Sequence, residues 1–423
     1  VLVIGLALLL RAFGSRIAAK RASGTPLVDS TRRLGQLRVS LRIESDADTT
    51  PASEPERVFL GLIRVGLQLL GILLVAAVAF RIVQPQAFMG PGFFDLKLNP
   101  QWVNDMQSAV RTASGQVDIP PGHQWANRAP VWFLLKNMVL WGLGLPLGLT
   151  VWAAWAAMGV ALYRVFARGP RASDDVNGWS HLLPWVWFSF TFFYQSVQYV
   201  KAMRYIYPIY PTMAVMAGYG LVRLWGWAKG RAERWRGTSR ARWAGVLRGL
   251  TTGIVLAVIL GTAFWAVAFT SIYTRPVSRV TASRWIYANV RRGAVLAWEE
   301  WDDPVPLNVD GLNASNEFAF VKMSPYWEDR EPAKRDALIS WIEQAEYIML
   351  SSNRLYGSIP RLPSRYPITT RYYEALFSGE LGFDLVAEFT SRPSLLGIEI
   401  NDDNAEESWT VYDHPKVSVF HKR

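Results

Sequence analysis

Long apolar runs separated by short polar stretches set the pattern of the first two thirds of the chain. They fall at about 1–13, 58–81, 138–165, 182–200, 205–227 and 249–272. Most approach the ~20 residues that an α-helix requires to cross a bilayer. Their apolar residues go all the way round the helix, unlike the single stripe of a soluble helix. Pro146, Pro184, Pro208 and Pro211 lie in or beside these runs; membrane helices tolerate proline when neighbours satisfy the freed carbonyls. The pattern predicts six membrane spans. Val1 opens directly into the first run, with no basic stretch before it and no A-x-A site after it. That run is read as part of a span in a longer chain, not as a signal peptide.

From about residue 272 the pattern changes. Helix signals at 278–290, 331–346 and 370–380 alternate with strand signals at 294–299, 347–351, 383–390 and 416–421. Such alternation predicts an α/β layer with a partly parallel sheet. The expected fold is an α-helical polytopic membrane domain over 1–271, followed by a soluble α/β domain over 272–423. Residues 14–57, rich in Ser, Thr, Asp, Arg and Pro, read as a solvated linker. In the 82–137 loop, Asn99-Pro100 looks like an N-cap with proline at the first helical position. Trp102, Met106 and Val110 then recur every four residues, which predicts an amphipathic helix lying on the membrane surface. The Gly-x-Gly inside 142–148 predicts close helix packing.

Charge refines this division. Of 45 Lys+Arg and 34 Asp+Glu, residues 272–423 hold 17 and 22, net −5, leaving +16 for residues 1–271. Lys and Arg number 8 in 14–57, 2 in 166–181 and 7 in 228–248, against 4 in 82–137 and 2 in 196–204. The positive-inside rule puts the first three segments in the cytoplasm and the 272–423 domain outside it. The basic balance therefore marks membrane topology, and nucleic acid is not an expected partner. Trp141, Trp179, Trp225, Trp227 and Trp265 stand near run ends, as interfacial anchors do. With no cysteine, a disulfide scaffold, a zinc-thiolate site and a cysteine nucleophile are excluded. No G-x-G-x-x-G follows a strand, so dinucleotide binding has no support.

Two stretches concentrate chemistry. Residues 121–137 place His123, Gln124, Asn127, Arg128 and Lys136 at the outer mouth of a span, among aromatics that include Trp125. Anchoring at the membrane interface explains each singly; together they would also rim a cavity for an anionic or sugar-bearing substrate, with Arg as a planar fork and His as a proton shuttle. Residues 198–211 hold Lys201 and Arg204 in a short turn beside Tyr205, Tyr207 and two prolines. Three apart, the two cations would share a helical face and converge on one anion. Asp95, Asp105 and Asp118 are the only acids of the 82–137 loop, and none has a context that marks a catalytic base. Trp298-Glu-Glu-Trp-Asp-Asp303 suits a sugar or a divalent cation in composition, but its ligand spacing is irregular, and a strand running into an acidic loop is the preferred reading.

Lys201-x-x-Arg-Tyr-x-x-Pro-x-Tyr-Pro211, and His123…Arg128-Ala-Pro-Val-Trp-Phe133 before a span, resemble segments of bacterial membrane glycosyltransferases of the GT-C fold. The likeness is to family 39, protein O-mannosyltransferases and lipid A aminoarabinose transferases. The 272–423 domain resembles the soluble C-terminal segment of bacterial members through Ala-Ser-Arg-Trp-Ile-Tyr-Ala-Asn-Val290, Trp-Glu-Glu-Trp-Asp-Asp303 and Val-Tyr-Asp-His-Pro415. The resemblance covers about 82–423. It implies transfer of a sugar from a polyprenyl-phosphate donor to a glycan, lipid or protein acceptor at the outer face of the cell membrane. Lys201, Arg204 and Tyr205 would hold the donor phosphate; His123, Gln124, Trp125 and Arg128 would line the substrate cavity. The family's catalytic Asp follows its first span, so the base, and any divalent cation beside it, is expected upstream of Val1. The alternatives are a polytopic transporter or flippase, and a membrane-anchored binding protein with an outer α/β domain. Asp and Glu are absent from all six runs, which leaves proton-coupled transport without a carrier.

Overall fold

A computed structural model describes residues 54–90, 92–168 and 180–423. The run 1–13, the linker 14–57 up to residue 53, most of the 166–181 loop and Trp179 lie outside the described residues. Two compact units emerge. The first joins the described residues up to Met106 with Trp155–Phe190; the second joins Gln107–Ala154 with Thr191–Arg423. The break expected at 271/272 falls inside the second unit.

Among the described residues, three helical stretches are long and apolar enough to cross a membrane. They are Leu62–Val83, Leu145–Ala167 and one within Ala241–Asn289. The 182–200 run forms a helix of only 16 residues, Leu182–Val197. The 205–227 run opens as a tight 3₁₀ stretch, Met203–Ile209, around Pro208. It continues as Tyr210–Trp235, whose last turns are rich in Lys and Arg. The 138–165 run is also interrupted. A π-turn at Met138–Gly142 leads to Gly144, at φ +74°, before the helix Leu145–Arg168 begins. A Cβ at Gly142 would stand 2.1 Å from the Tyr210 hydroxyl. The Gly-x-Gly thus serves a helix break and a close side-chain approach. Trp265 is not a free anchor either: its Nε1 donates to the Trp141 carbonyl at 3.0 Å, and its ring stacks on Trp409.

Asn99 caps the helix Pro100–Ser114 as expected, its Oδ1 accepting from the Gln101 N–H at 3.0 Å. That helix fully buries no residue; of its apolar stripe, Trp102 meets the Phe80 ring edge-on at 5.8 Å, and Met106 and Val110 are exposed.

The C-terminal part is a five-stranded sheet in the order β2-β1-β3-β7-β4. The strands are β1 Val295–Glu299, β2 Ala319–Met323, β3 Tyr347–Leu350, β4 Phe383–Phe389 and β7 Val417–Lys422. β1 pairs in parallel with β2 and β3, and β7 runs antiparallel to β3 and β4. A separate hairpin pairs β5 Ser394–Leu395 with β6 Ile398–Glu399. The central strands β1, β3 and β7 are buried on both faces, and the period of two sorts their residues. Ala297, Ile348, Leu350 and Phe420 pack with Leu338 and Leu376 of the helices Pro332–Gln344 and Pro367–Ser378. Leu296, Met349, Val417 and Val419 pack on the other side with Ala282 and Ile286 of the helix Ser278–Asn289.

Candidate functional site

The segment after Gln116 is built on proline and short-range turns. Pro120 starts a 3₁₀ stretch, Pro120–Trp125. Val131 follows at φ +62°, ψ −55°, and the Trp132 N–H bonds back to the Pro130 carbonyl at 2.6 Å. This is a γ-turn, a strained conformation for a β-branched residue. It starts the short helix Trp132–Asn137, which carries Phe133 and Lys136.

Named contacts tie this segment to the α/β part of the same unit. Asp118 accepts from Arg365 at 2.7 and 3.1 Å, and Arg365 also bonds Glu328. Asn127 donates to the Arg361 carbonyl at 2.8 Å. Asn137 Oδ1 accepts from the Glu406 N–H at 2.9 Å, and Glu406 Oε1 accepts from the Met203 N–H at 3.0 Å. The segments 124–137, 353–361 and 390–416 are thereby held together around one cavity.

That cavity has a volume of about 320 Å³, within the range of small-molecule sites. The first segment contributes Gln124, Arg128, Phe133 and Lys136. The second contributes Asn353, Tyr356 and Arg361. The third contributes Arg392, Asp402, Asp403, Glu407, His414 and Lys416. Several of these charges are already answered. Arg392 pairs with Asp403 at 2.7 Å and Glu399 at 3.0 Å, and Lys416 with Glu388 at 2.8 Å. Asp402 accepts from buried His414 at 2.7 Å and from the Trp409 indole at 3.2 Å. Glu407 takes the Arg354 Nε at 2.8 Å on Oε1, while its Oε2 is buried without a partner. Burial pushes the Glu407 carboxyl up to about 7, against the pull of Arg354. Arg128, Lys136 and Arg361 make no ion pair with a carboxylate among the described residues. Burial, then the neighbouring Arg361 cation, lowers Arg128 to about 10, against the pull of Glu406; it is still charged at neutral pH.

The structure separates the four residues expected to line a cavity. Gln124 and Arg128 do so. His123 is buried between the rings of Tyr326 and Tyr366 and bonds Asp118 at 2.9 Å. Trp125 is buried in an apolar cluster with Phe133, Val200 and Ala202. Neither of these two lines the cavity. Lys201 and Arg204 do not share a helical face. Lys201 precedes the 3₁₀ stretch and is 5% exposed, with its Nζ donating to the Tyr199 carbonyl at 3.3 Å. Burial pushes its ammonium pKa down. Arg204 is exposed, with its guanidinium over the exposed Tyr205 ring at 5.4 Å.

The four acids of 298–303 do not converge on one point but are engaged by three different groups of partners. Glu299 is buried and accepts from the Tyr373 hydroxyl at 2.7 Å; Glu300 bonds Lys322 and Ser324. Asp302 and Asp303 both meet Arg279, at 3.0 and 3.3 Å. Among the described residues, no group of three or more His, Asp or Glu side chains is gathered as a metal ion requires. Asp95 bonds the Gly92 N–H and Asp105 the Gln101 side chain, which are turn and helix-surface roles.

Sequence reasoning missed Asn353, Arg361, Asp402, Glu407 and His414. His414 stands inside Val-Tyr-Asp-His-Pro415, and the acids 402–407 form a visible cluster. Neither stretch has a spacing that names a role. No protein-family model, no curated protein and no solved structure matches the chain.

Proposed function

We propose that the chain is part of a membrane glycosyltransferase that moves a sugar from a polyprenyl-phosphate donor to an acceptor at the outer face of the membrane. The observation that carries this reading is the polar cavity lined by Gln124 and Arg128, two residues singled out by the resemblance. Its cations and carboxylates suit a hydroxyl-rich ligand better than an apolar one. In this reading Leu182–Val197 and Tyr210–Trp235 also cross the bilayer. The α/β part then lies outside the cytoplasm.

The chemistry is displacement at the anomeric carbon. The acceptor oxygen forms a bond to that carbon, and the bond to the lipid phosphate breaks. The leaving phosphate takes the electron pair, and a base takes the acceptor's proton. Exposed Arg204 and Tyr205 are assigned to the leaving phosphate, with buried Lys201 contributing positive potential nearby in sequence. The test is a transfer assay in membranes holding the natural full-length protein, supplied with a radiolabelled polyprenyl-phosphate-sugar. Label moving to an acceptor supports the reading; a donor left intact for every sugar supplied sinks it.

A further inference from the structure

The cavity holds two neighbouring arginines, Arg128 and Arg361, and neither makes an ion pair with a carboxylate among the described residues. The stem of each is fixed by its own chain: Arg128 Nε donates to the Gln124 carbonyl at 3.2 Å, and Arg361 Nε to the Gly357 carbonyl at 2.8 Å. The Arg128 guanidinium also lies over the Phe133 ring at 4.7 Å. Their terminal nitrogens remain as donors. Two half-buried like charges repel, and an oxyanion between them removes that cost. A bare anion leaves the rest of the cavity unexplained. Glu407 Oε2, on a side chain 8% exposed, and Asn353 Oδ1 are buried acceptors without partners, and both residues line the same cavity. Buried acceptors of this kind are normally matched by donors. A ligand that brings hydroxyls as well as an oxyanion meets both requirements.

We infer that this cavity binds a sugar carrying a carboxylate or phosphate, held at its oxyanion by Arg128 and Arg361 and, once their side chains turn toward it, at its hydroxyls by Glu407 and Asn353. Resting on the transferase reading above, this sugar is the acceptor, distinct from the lipid-linked donor. A lipid phosphate alone offers the oxyanion without the hydroxyls.

The experiment is isothermal titration of the full chain in detergent with glucuronate, glucose 6-phosphate, glucose, inorganic phosphate and undecaprenyl phosphate. At least one charged sugar should bind, with glucose about tenfold weaker or more, as the loss of charge-assisted contacts implies. Arg361→Gln and Arg128→Gln should each weaken the charged sugar by roughly tenfold or more, with Arg361→Lys intermediate because it keeps charge but loses the fork. Glu407→Gln should weaken the charged sugar and leave inorganic phosphate unchanged. Matching thermal melts show that each variant is folded. Glucose binding as well as the charged sugars, a folded Arg361→Gln variant at wild-type affinity, or binding of undecaprenyl phosphate alone overturns the inference, as does no binding by either charged sugar. Transfer from a lipid-linked donor without charged-sugar binding removes this site and spares the transferase. Charged-sugar binding without transfer supports the site and removes the transferase.

Discussion

Arg365 and Asp118 meet through two hydrogen bonds, at 2.7 and 3.1 Å, across 247 positions of sequence. The pair fastens the 118–137 segment to the α/β part, and so helps to place Gln124 and Arg128 at the cavity. Arg365 first, then His123, holds the Asp118 carboxyl down at about 2, from an ordinary 3.8. A depressed carboxylate contributes stability above its unfolded pKa and loses it as pH falls through the folded value. Asp118→Asn should therefore lower the melting temperature at pH 6. The shift should be about 1–4 °C, because an exposed pair contributes little. The gap to wild type should narrow at pH 3. Thermal melts at the two pH values check this, and an equal gap at both counts against it.

Glu299 has the opposite sign. Burial raises its carboxyl to about 8, against the hydrogen bond from Tyr373. The folded chain therefore keeps a proton that the unfolded chain releases above about 4.5. Stability from this group is greatest at low pH and declines between about 4.5 and 8. Glu299→Gln removes that decline, so the variant should gain on wild type as pH rises from 5 to 8.5. A difference between the two proteins that does not change with pH would refute the burial effect.

The covered centre and exposed edge of the sheet predict unequal costs along its strands. Ile348 on β3 is fully buried, whereas Leu385 on β4 is 52% exposed. Ile348→Ala should cost about 2–5 kcal/mol through lost contacts and a residual cavity. Leu385→Ala should cost about 0.5 kcal/mol or less. Urea unfolding of the two variants should show the contrast, and similar midpoints would mean that the sheet is packed differently.

Sidedness has a direct readout because the chain contains no cysteine. Asp336, on the helix Pro332–Gln344, and Ser239, in the turn before Ala241, are both exposed. With a membrane-impermeant thiol reagent on intact cells or spheroplasts, Asp336→Cys should label at once. Ser239→Cys should label only after lysis. The reverse result would invert the topology and remove the outer-face site.

Residues that fold locally were the ones the sequence could be read for. β1, β3, β4 and β7 lie within about a residue of the expected strands, because each is a short apolar or alternating run bounded by turn residues. β2 was missed: Ala319–Met323 is an edge strand with one buried residue, so its pattern is weak. The helix Pro367–Ser378 starts at its proline, three residues earlier than expected, where proline is preorganised for a first turn. The site was readable only in part for a different reason. Gln124 and Arg128 stand out beside an apolar run, but Arg361 and Glu407 come from segments more than two hundred residues away. They reach the cavity through long-range contacts such as Asn127 to the Arg361 carbonyl and Asn137 to the Glu406 N–H, and no local pattern encodes those contacts.

Use of a lipid-linked sugar is what the proposed function requires of the chain. It is tested most directly by initial rates of transfer from a limiting polyprenyl-phosphate-sugar in membranes with the natural full-length protein. Wild type is compared with Lys201→Ala, Arg204→Ala and Arg204→Lys at matched protein levels. A charge-assisted contact to the leaving phosphate contributes about 1.5–3 kcal/mol, so losing Arg204 should slow transfer by roughly ten- to a hundredfold. Arg204→Lys should fall between, because it keeps the charge and loses the planar fork. Lys201→Ala should also slow transfer. Wild-type rates in both alanine variants would contradict the account and leave the two cations as interfacial anchors.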